Sequence, residues 1–121
     1  KEAGYVAAAK NMYCELEVTG TPILLQQDQQ LLIFRIVQES IANALKHGNA
    51  TQIDLTVDYQ PHLFTLSVMD NGYGFNVDAN GKPAGLGLIN MTNRARLLNG
   101  KLDIDSEEGR GTTITLQIPL S

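Results

Sequence analysis

The stretch that most limits the fold runs from Gln52 to Asp70. "QIDLTVDY" and "LFTLSVMD" each alternate apolar and polar residues, and only "QPH" separates them. A period of two sends alternate side chains to opposite faces, and so short a link joins the two runs as a β-hairpin. Strands that alternate in this way bury one face and leave the other to solvent or a partner.

The flanking segments supply the cover. "FRIVQESIANALKHGNA", Phe34 to Ala50, belongs to a helix expected from about Gln29 to His47, with Asp28 as its cap and Gly48 closing its C-terminus. Residues 12 to 18 alternate like a strand and stop at "TGTP". Residues 1 to 10 read as a helix or its tail, weakened by Gly4. Residues 71 to 85, "NGYGFNVDANGKPAG", hold neither period and are expected as a loop. "LGLINMTNRARLL" is helical again and ends at Asn99 and Gly100, and "KLDIDS" and "GTTITLQIPL" form a last strand pair around "EEGRG". The order α, β, α, β, β, loop, α, β, β is too unevenly interleaved for a doubly wound parallel sheet. The expected fold is α/β: one domain over residues 1–121, a two-layer sandwich of a mixed β-sheet with helices packed on one face.

Composition removes several function classes. With 121 residues, 43% hydrophobic and 18% charged, the chain suits one soluble globular domain with a real core. A net charge of -4 leaves no basic footprint for nucleic acid or an acidic membrane surface. No apolar run approaches a membrane span. The single cysteine, Cys14, alternates with Leu16 and Val18, so a buried strand position is expected rather than a reactive thiol or a metal cluster. His47 and His62 lack metal-ligand spacing, no Gly-x-Ser-x-Gly elbow occurs, and Arg94 and Arg96 read as surface or partner-facing. The opening at Lys1, without a methionine, reads as a fragment of a longer protein.

At 100° per residue, Ile33, Phe34, Val37, Ile41, Ala44 and Leu45 of the long helix form a core-facing stripe. Glu39, Asn43, Lys46 and His47 fall on a separate arc, edged by Arg35 and Ser40 and interrupted by Leu32 and Ile36. Such an arc is ordinarily a solvated face, but asparagine is a modest helix former and makes no i,i+4 ion pair.

Three further motifs carry chemistry. "MDNGYGF" ends a strand at Asp70 and follows it with Gly72 and Gly74. Asn71-Gly72 alone signals a hairpin, yet no second strand follows. A carboxylate there can accept a hydrogen bond from an exocyclic amine, the group that separates adenine from guanine. "GLGL", Gly85 to Leu88, leads into a helix whose free N–H groups favour phosphate, or else it is a flexible connector. In "GRGTTITL", Thr112 shares the parity of Ile114, Leu116 and Ile118, so its hydroxyl faces the layer between sheet and helices.

Taken in order, E-x-x-x-N on a helix, D-x-G-x-G after a strand, G-x-G before a helix and G-T at a strand start resemble the GHKL ATPase superfamily. The resemblance runs from about Leu16 to Leu120. The wording "RIVQESIANALKH" with "GLGLINMTNRARLLNGKLDIDSEEGRGTTITLQIPL" is similar to the catalytic domain of nitrate-sensor and DesK-like histidine kinases. It implies a Bergerat-type ATP-binding fold with ATP and Mg²⁺ as cofactors. By that resemblance Asn43 binds Mg²⁺, Glu39 positions water or metal or acts as base, and Lys46 and His47 lie towards the phosphates. Asp70 reads adenine, Gly72 and Gly74 form the turn beneath the base, and Gly85, Gly87 and Leu88 form the phosphate end of a lid over residues 76–84. Thr112 helps Asp70 at the base. The implied partners are a histidine-bearing dimerisation domain of the same parent protein, a dimer, and a downstream response regulator, with a cytoplasmic location. No phosphoacceptor helix is visible, since His47 and His62 lie inside the module. A regulatory nucleotide-binding module and an anti-sigma-type serine kinase are the alternatives.

Overall fold

The expected hairpin forms as β3 (Gln52–Gln60) and β4 (Leu63–Asp70), antiparallel, with Gln60 opposite Leu63. The computed structural model describes residues 2–6, 13–46, 48–74 and 87–120, with only the backbone course for residues 2–6. Around the hairpin lie β1 (Glu2–Val6), β2 (Tyr13–Gly20), α1 (Gln27–Lys46), α2 (Leu88–Leu97), β5 (Lys101–Ser106) and β6 (Thr112–Pro119). The described strands form one sheet in the order β1-β2-β3-β4-β6-β5. Only β2 and β3 are parallel, because α1 separates them in the chain and returns it to the same end. His47 and residues 75–86, including Gly85 and the whole lid segment, lie outside the described residues.

Both helices pack on one face. Phe64 and Leu66 of β4 and Ile114, Leu116 and Ile118 of β6 form one buried cluster with Ile36, Leu88, Met91 and Ala95 of the helices. A smaller cluster of Cys14, Ala44, Ile53 and Val68 continues it. Cys14 is buried as its alternation predicts, and burial, followed by the nearby Asp54 charge, pushes its thiol above the ordinary value. Among the described residues no helix is long and apolar enough to cross a membrane.

The structure corrects three local expectations. Residues 2–6 are a strand, not a helix: they pair antiparallel with β2, Glu2 opposite Val18 and Val6 opposite Cys14. The free edge of β2 supplies hydrogen-bond partners that an isolated Gly-containing helix lacks. Asp28 does not cap α1; it sits in the first turn, while Gln29 Oε1 accepts the Gln26 N–H at 3.0 Å, one half of a capping box. At the other end, Gly48 N–H donates to the Asn43 carbonyl at 3.0 Å, but Asn49 takes the left-handed φ of 54°.

The third correction bears on function. The inner face of α1 is centred on Ile36, Ser40 and Ala44, with Ile36 fully buried, while Phe34 is 55% exposed and Leu45 37%. The helix is thus rotated relative to the stripe read from apolar count. It must face the sheet and α2 together, and Ser40 Oγ, 2.7 Å from the Ile36 carbonyl, also reaches Met91 Sδ of α2 at 3.4 Å. Ile33, Val37 and Ile41 remain partly buried on one flank. Seven residues on an ideal helix return to within about 20° of the start, so Asn43 comes back almost over Ile36. The polar row is therefore partly buried at Glu39 and Asn43 and exposed at Lys46, instead of lying wholly on an outer face.

Candidate functional site

At the end of the sheet where β4 stops and β6 begins, three polar side chains stand in one row. Asp70 is opposite Thr112, and Thr112 is opposite Ser106, across β4, β6 and β5. Opposed residues of antiparallel strands share a face, and Thr112 shares that of the buried Ile114, Leu116 and Ile118. Its hydroxyl faces the helix layer, as its parity predicts. Thr112 Oγ1 lies 2.8 Å from Ser106 Oγ, which lies 3.2 Å from the Gly111 carbonyl oxygen. Thr112 and Ser106 are each only 7% exposed.

Asp70 is half-buried. The Gly72 N–H donates to its Oδ1 at 2.8 Å. Burial pushes its carboxyl above the ordinary value, and hydrogen bonds from the backbone of Gly72 and Thr112 draw it only part of the way back. Among the described residues no cation pairs with it.

Three loops clasp one another beneath this row. A Cβ at Gly72 would overlap the Gly48 carbonyl oxygen, which also accepts the Tyr73 N–H at 2.7 Å. Gly74, with φ 69°, lies against the Glu107 carbonyl, and Gly109 N–H donates to the Tyr73 carbonyl. The Asn71 side chain completes the clasp. Its Oδ1 accepts the N–H groups of Thr51 and Gln52, both at 2.9 Å, and its Nδ2 donates to Thr51 Oγ1 at 3.0 Å.

The helix contribution comes from α1 and the start of α2. Asn43 Nδ2 is buried without a hydrogen-bond partner, and it is alone in this among the described side chains. The Glu39 carboxylate lies against Gly87, which has φ 73° and precedes Leu88, the first residue of α2, with no side-chain cap. Lys46 is exposed and lines a groove of about 480 Å³ with Arg35, Glu39 and Arg94. Of the expected site residues, the structure thus joins Asp70, Gly72 and Thr112 in one group and Glu39 with Gly87 in another. Gly74 supports the first group from below, and Lys46 stands on the groove side of Glu39.

Two contributors escaped the sequence reading. Ser106 had a usable signal, because it ends the column Leu102, Ile104, Ser106 with a hydroxyl as Thr112 begins its own column with one. Asn71 had none, since its partners lie 19 and 20 residues away.

The family described as histidine kinase-, DNA gyrase B-, and HSP90-like ATPase matches residues 28–121. The chain belongs to that family. The matched span of this ATPase domain holds every site residue named above and leaves β1 and β2 outside. Solved structures share its fold. The ATP binding domain of PrrB from Mycobacterium tuberculosis matches with a TM-score of 0.76 at 24% identity, over 93% of this chain and 83% of that one. The Acinetobacter baumannii histidine kinase AdeS matches with a TM-score of 0.72 at 22% identity, over 89% of this chain and 54% of that one. The histidine kinase domain of the Erythrobacter litoralis EL346 blue-light activated kinase matches with a TM-score of 0.71 at 21% identity, over 87% of this chain. The ATPase domain spans 54% of that Erythrobacter domain and 35% of the longer Erythrobacter chain.

Proposed function

We propose that this ATPase-family domain binds Mg-ATP and donates the γ-phosphate to a histidine on a separate dimerisation domain, as the cytoplasmic catalytic module of a longer two-component sensor kinase. The observation that carries this reading is Asp70. A half-buried carboxylate with no cation beside it among the described residues, at the end of a strand and in line with the Thr112 hydroxyl, keeps acceptor capacity beyond the Gly72 and Thr112 backbone N–H groups that it already accepts. The exocyclic amine of adenine is a donor for that capacity, whereas guanine places a carbonyl there. Gly72 and Gly74 keep the main chain tight beneath the base.

The residues on α1 fit the metal and phosphates. A partly buried carboxamide whose buried Nδ2 has no partner among the described residues has unused polar capacity, and rotating the amide exchanges Oδ1 for Nδ2. Asn43 would hold Mg²⁺ by its side-chain oxygen, with phosphate oxygens and water completing the shell. The ion supplies charge neutralisation to the transferring phosphoryl group. Glu39 takes the part of base or water-positioning group. Gly87 and the Leu88 N–H receive phosphate at the start of α2, joined by Gly85 two residues earlier in the chain, with Lys46 adding positive charge and His47 assigned to the phosphates beside it.

Calorimetric titration with Mg-ATP and Mg-GTP, followed by phosphotransfer to histidine-bearing helices supplied in trans, tests the reading. ATP should bind at least about tenfold more tightly than GTP and label the histidine. Equal affinity for the two nucleotides overturns the role of Asp70. Binding without transfer leaves a regulatory nucleotide-binding module, with any downstream response regulator receiving its phosphate from another kinase.

A further inference from the structure

Ser106 lies in none of the motifs that mark the site, yet it is bonded directly to one of its members. It ends β5 opposite Thr112, and the two hydroxyl oxygens are 2.8 Å apart. Each hydroxyl has one proton to give. The Gly111 carbonyl, 3.2 Å from Ser106 Oγ, has none and can only accept. The arrangement that satisfies both contacts sends the Ser106 proton to the Gly111 oxygen and leaves a Ser106 lone pair for the Thr112 proton. The Thr112 oxygen then turns its own lone pairs towards Asp70's side of the row. An unrestrained threonine hydroxyl would rotate and could donate as readily as accept.

We infer that Ser106 is a positioning residue for base selection: it fixes the Thr112 hydroxyl as an acceptor, so that the row offers two acceptors, Asp70 and Thr112, to a purine edge or its bound water. This rests on the assignment of the Asp70 row as the base site. Where both acceptors face the 6-position, an amine has two protons to give them and a 6-oxo purine has none, so the pair favours the amine more strongly than Asp70 alone does. The rigid environment supports a fixed polarity. Gly111 precedes Thr112 with φ 82° and packs against the Asp70 carbonyl, so the acceptor for Ser106 has little freedom to move. A hydroxyl serving only to staple the 107–111 turn would hold the loop but leave the choice of base alone.

The test compares ATP with inosine triphosphate, which has a carbonyl in place of the amine, in the full chain with Mg²⁺. The parent should prefer ATP, and Ser106→Ala should lower the ATP-to-ITP affinity ratio by about three- to tenfold. Ser106→Thr should keep the ratio, because it keeps the hydroxyl. In a Thr112→Val background, Ser106→Ala should leave the ratio where Thr112→Val put it, since the effect runs through that hydroxyl. A Ser106→Ala protein that melts earlier but weakens on both nucleotides equally has lost a staple only, and the inference fails. A parent that prefers ATP and keeps its whole preference in Ser106→Ala overturns this inference alone. A parent that binds neither nucleotide overturns the site assignment and this inference with it.

Discussion

The Glu39 carboxylate of α1 rests on the main chain of Gly87, so closely that a Cβ at Gly87 would overlap Oε1. Gly87 stands at the N-terminal end of α2, where unpaired N–H groups carry partial positive charge. The contact therefore sets one anion where the proposed reading brings a second, the phosphate. Glu39→Gln removes the repulsion while keeping the shape. ATP affinity should hold or rise by a few-fold, while phosphotransfer should fall by about 10²–10⁴ if Glu39 acts as a base. A variant that transfers phosphate at the parental rate shows Glu39 to be a spacer only.

Gly87→Ala meets a backbone obstacle as well as a side-chain one. At φ 73° a Cβ costs about 1–2 kcal/mol, and the Glu39 side chain must swing aside. Chemical denaturation should show a loss of that size. Adding Glu39→Ala should relieve the overlap but not the backbone strain, so most of the loss should persist.

Asp70→Asn should separate stability from binding. Burial raises the Asp70 carboxyl, so the folded state binds its proton more readily than the unfolded chain does. By linkage, the contribution of this group to stability is fully present below the unfolded value and is lost as pH rises through the folded value. The variant should therefore match or exceed the parent in stability at neutral pH, with that margin shrinking in acid. Its ATP affinity should fall by about tenfold or more. A variant less stable than the parent at pH 7 and no worse in acid contradicts this account.

Asn43→Ala deletes an amide whose buried nitrogen has no partner among the described residues, so stability should change by less than about 1 kcal/mol. Most of the Mg²⁺ dependence of ATP binding should disappear, along with phosphotransfer, while ADP binding without metal should change little. Unchanged Mg²⁺ dependence in calorimetry would return Asn43 to the status of a packing residue.

The rotation of α1 has a direct mutational signature. Ile36 is fully buried, so Ile36→Ala should cost about 2–5 kcal/mol. Phe34→Ala, at a side chain more than half exposed, should cost markedly less despite the larger volume removed. Comparable losses in denaturant titrations would place the core stripe where apolar count alone puts it.

Much of this protein is determined by neighbours in the chain, and that much was legible in the sequence. The β3–β4 hairpin, the β5–β6 pair, both helices, the burial of Cys14 and the inward parity of Thr112 follow from periods of two and 3.6, which need no knowledge of the partner. The motif residues at strand ends and helix starts are local in the same sense. What only the tertiary structure decided depends on what lies across a gap. The free edge of β2 turned residues 2–6 into a strand, and the joint demand of sheet and α2 chose Ile36 over Phe34 as the centre of the inner face. The same holds for the Asn71 clasp on Thr51 and Gln52 and for the Ser106–Thr112 bond, which join segments brought together by strand register. A repeating pattern shows that a helix has an inside, but its azimuth is set by the surface it must cover, and that surface exists only once the sheet has formed.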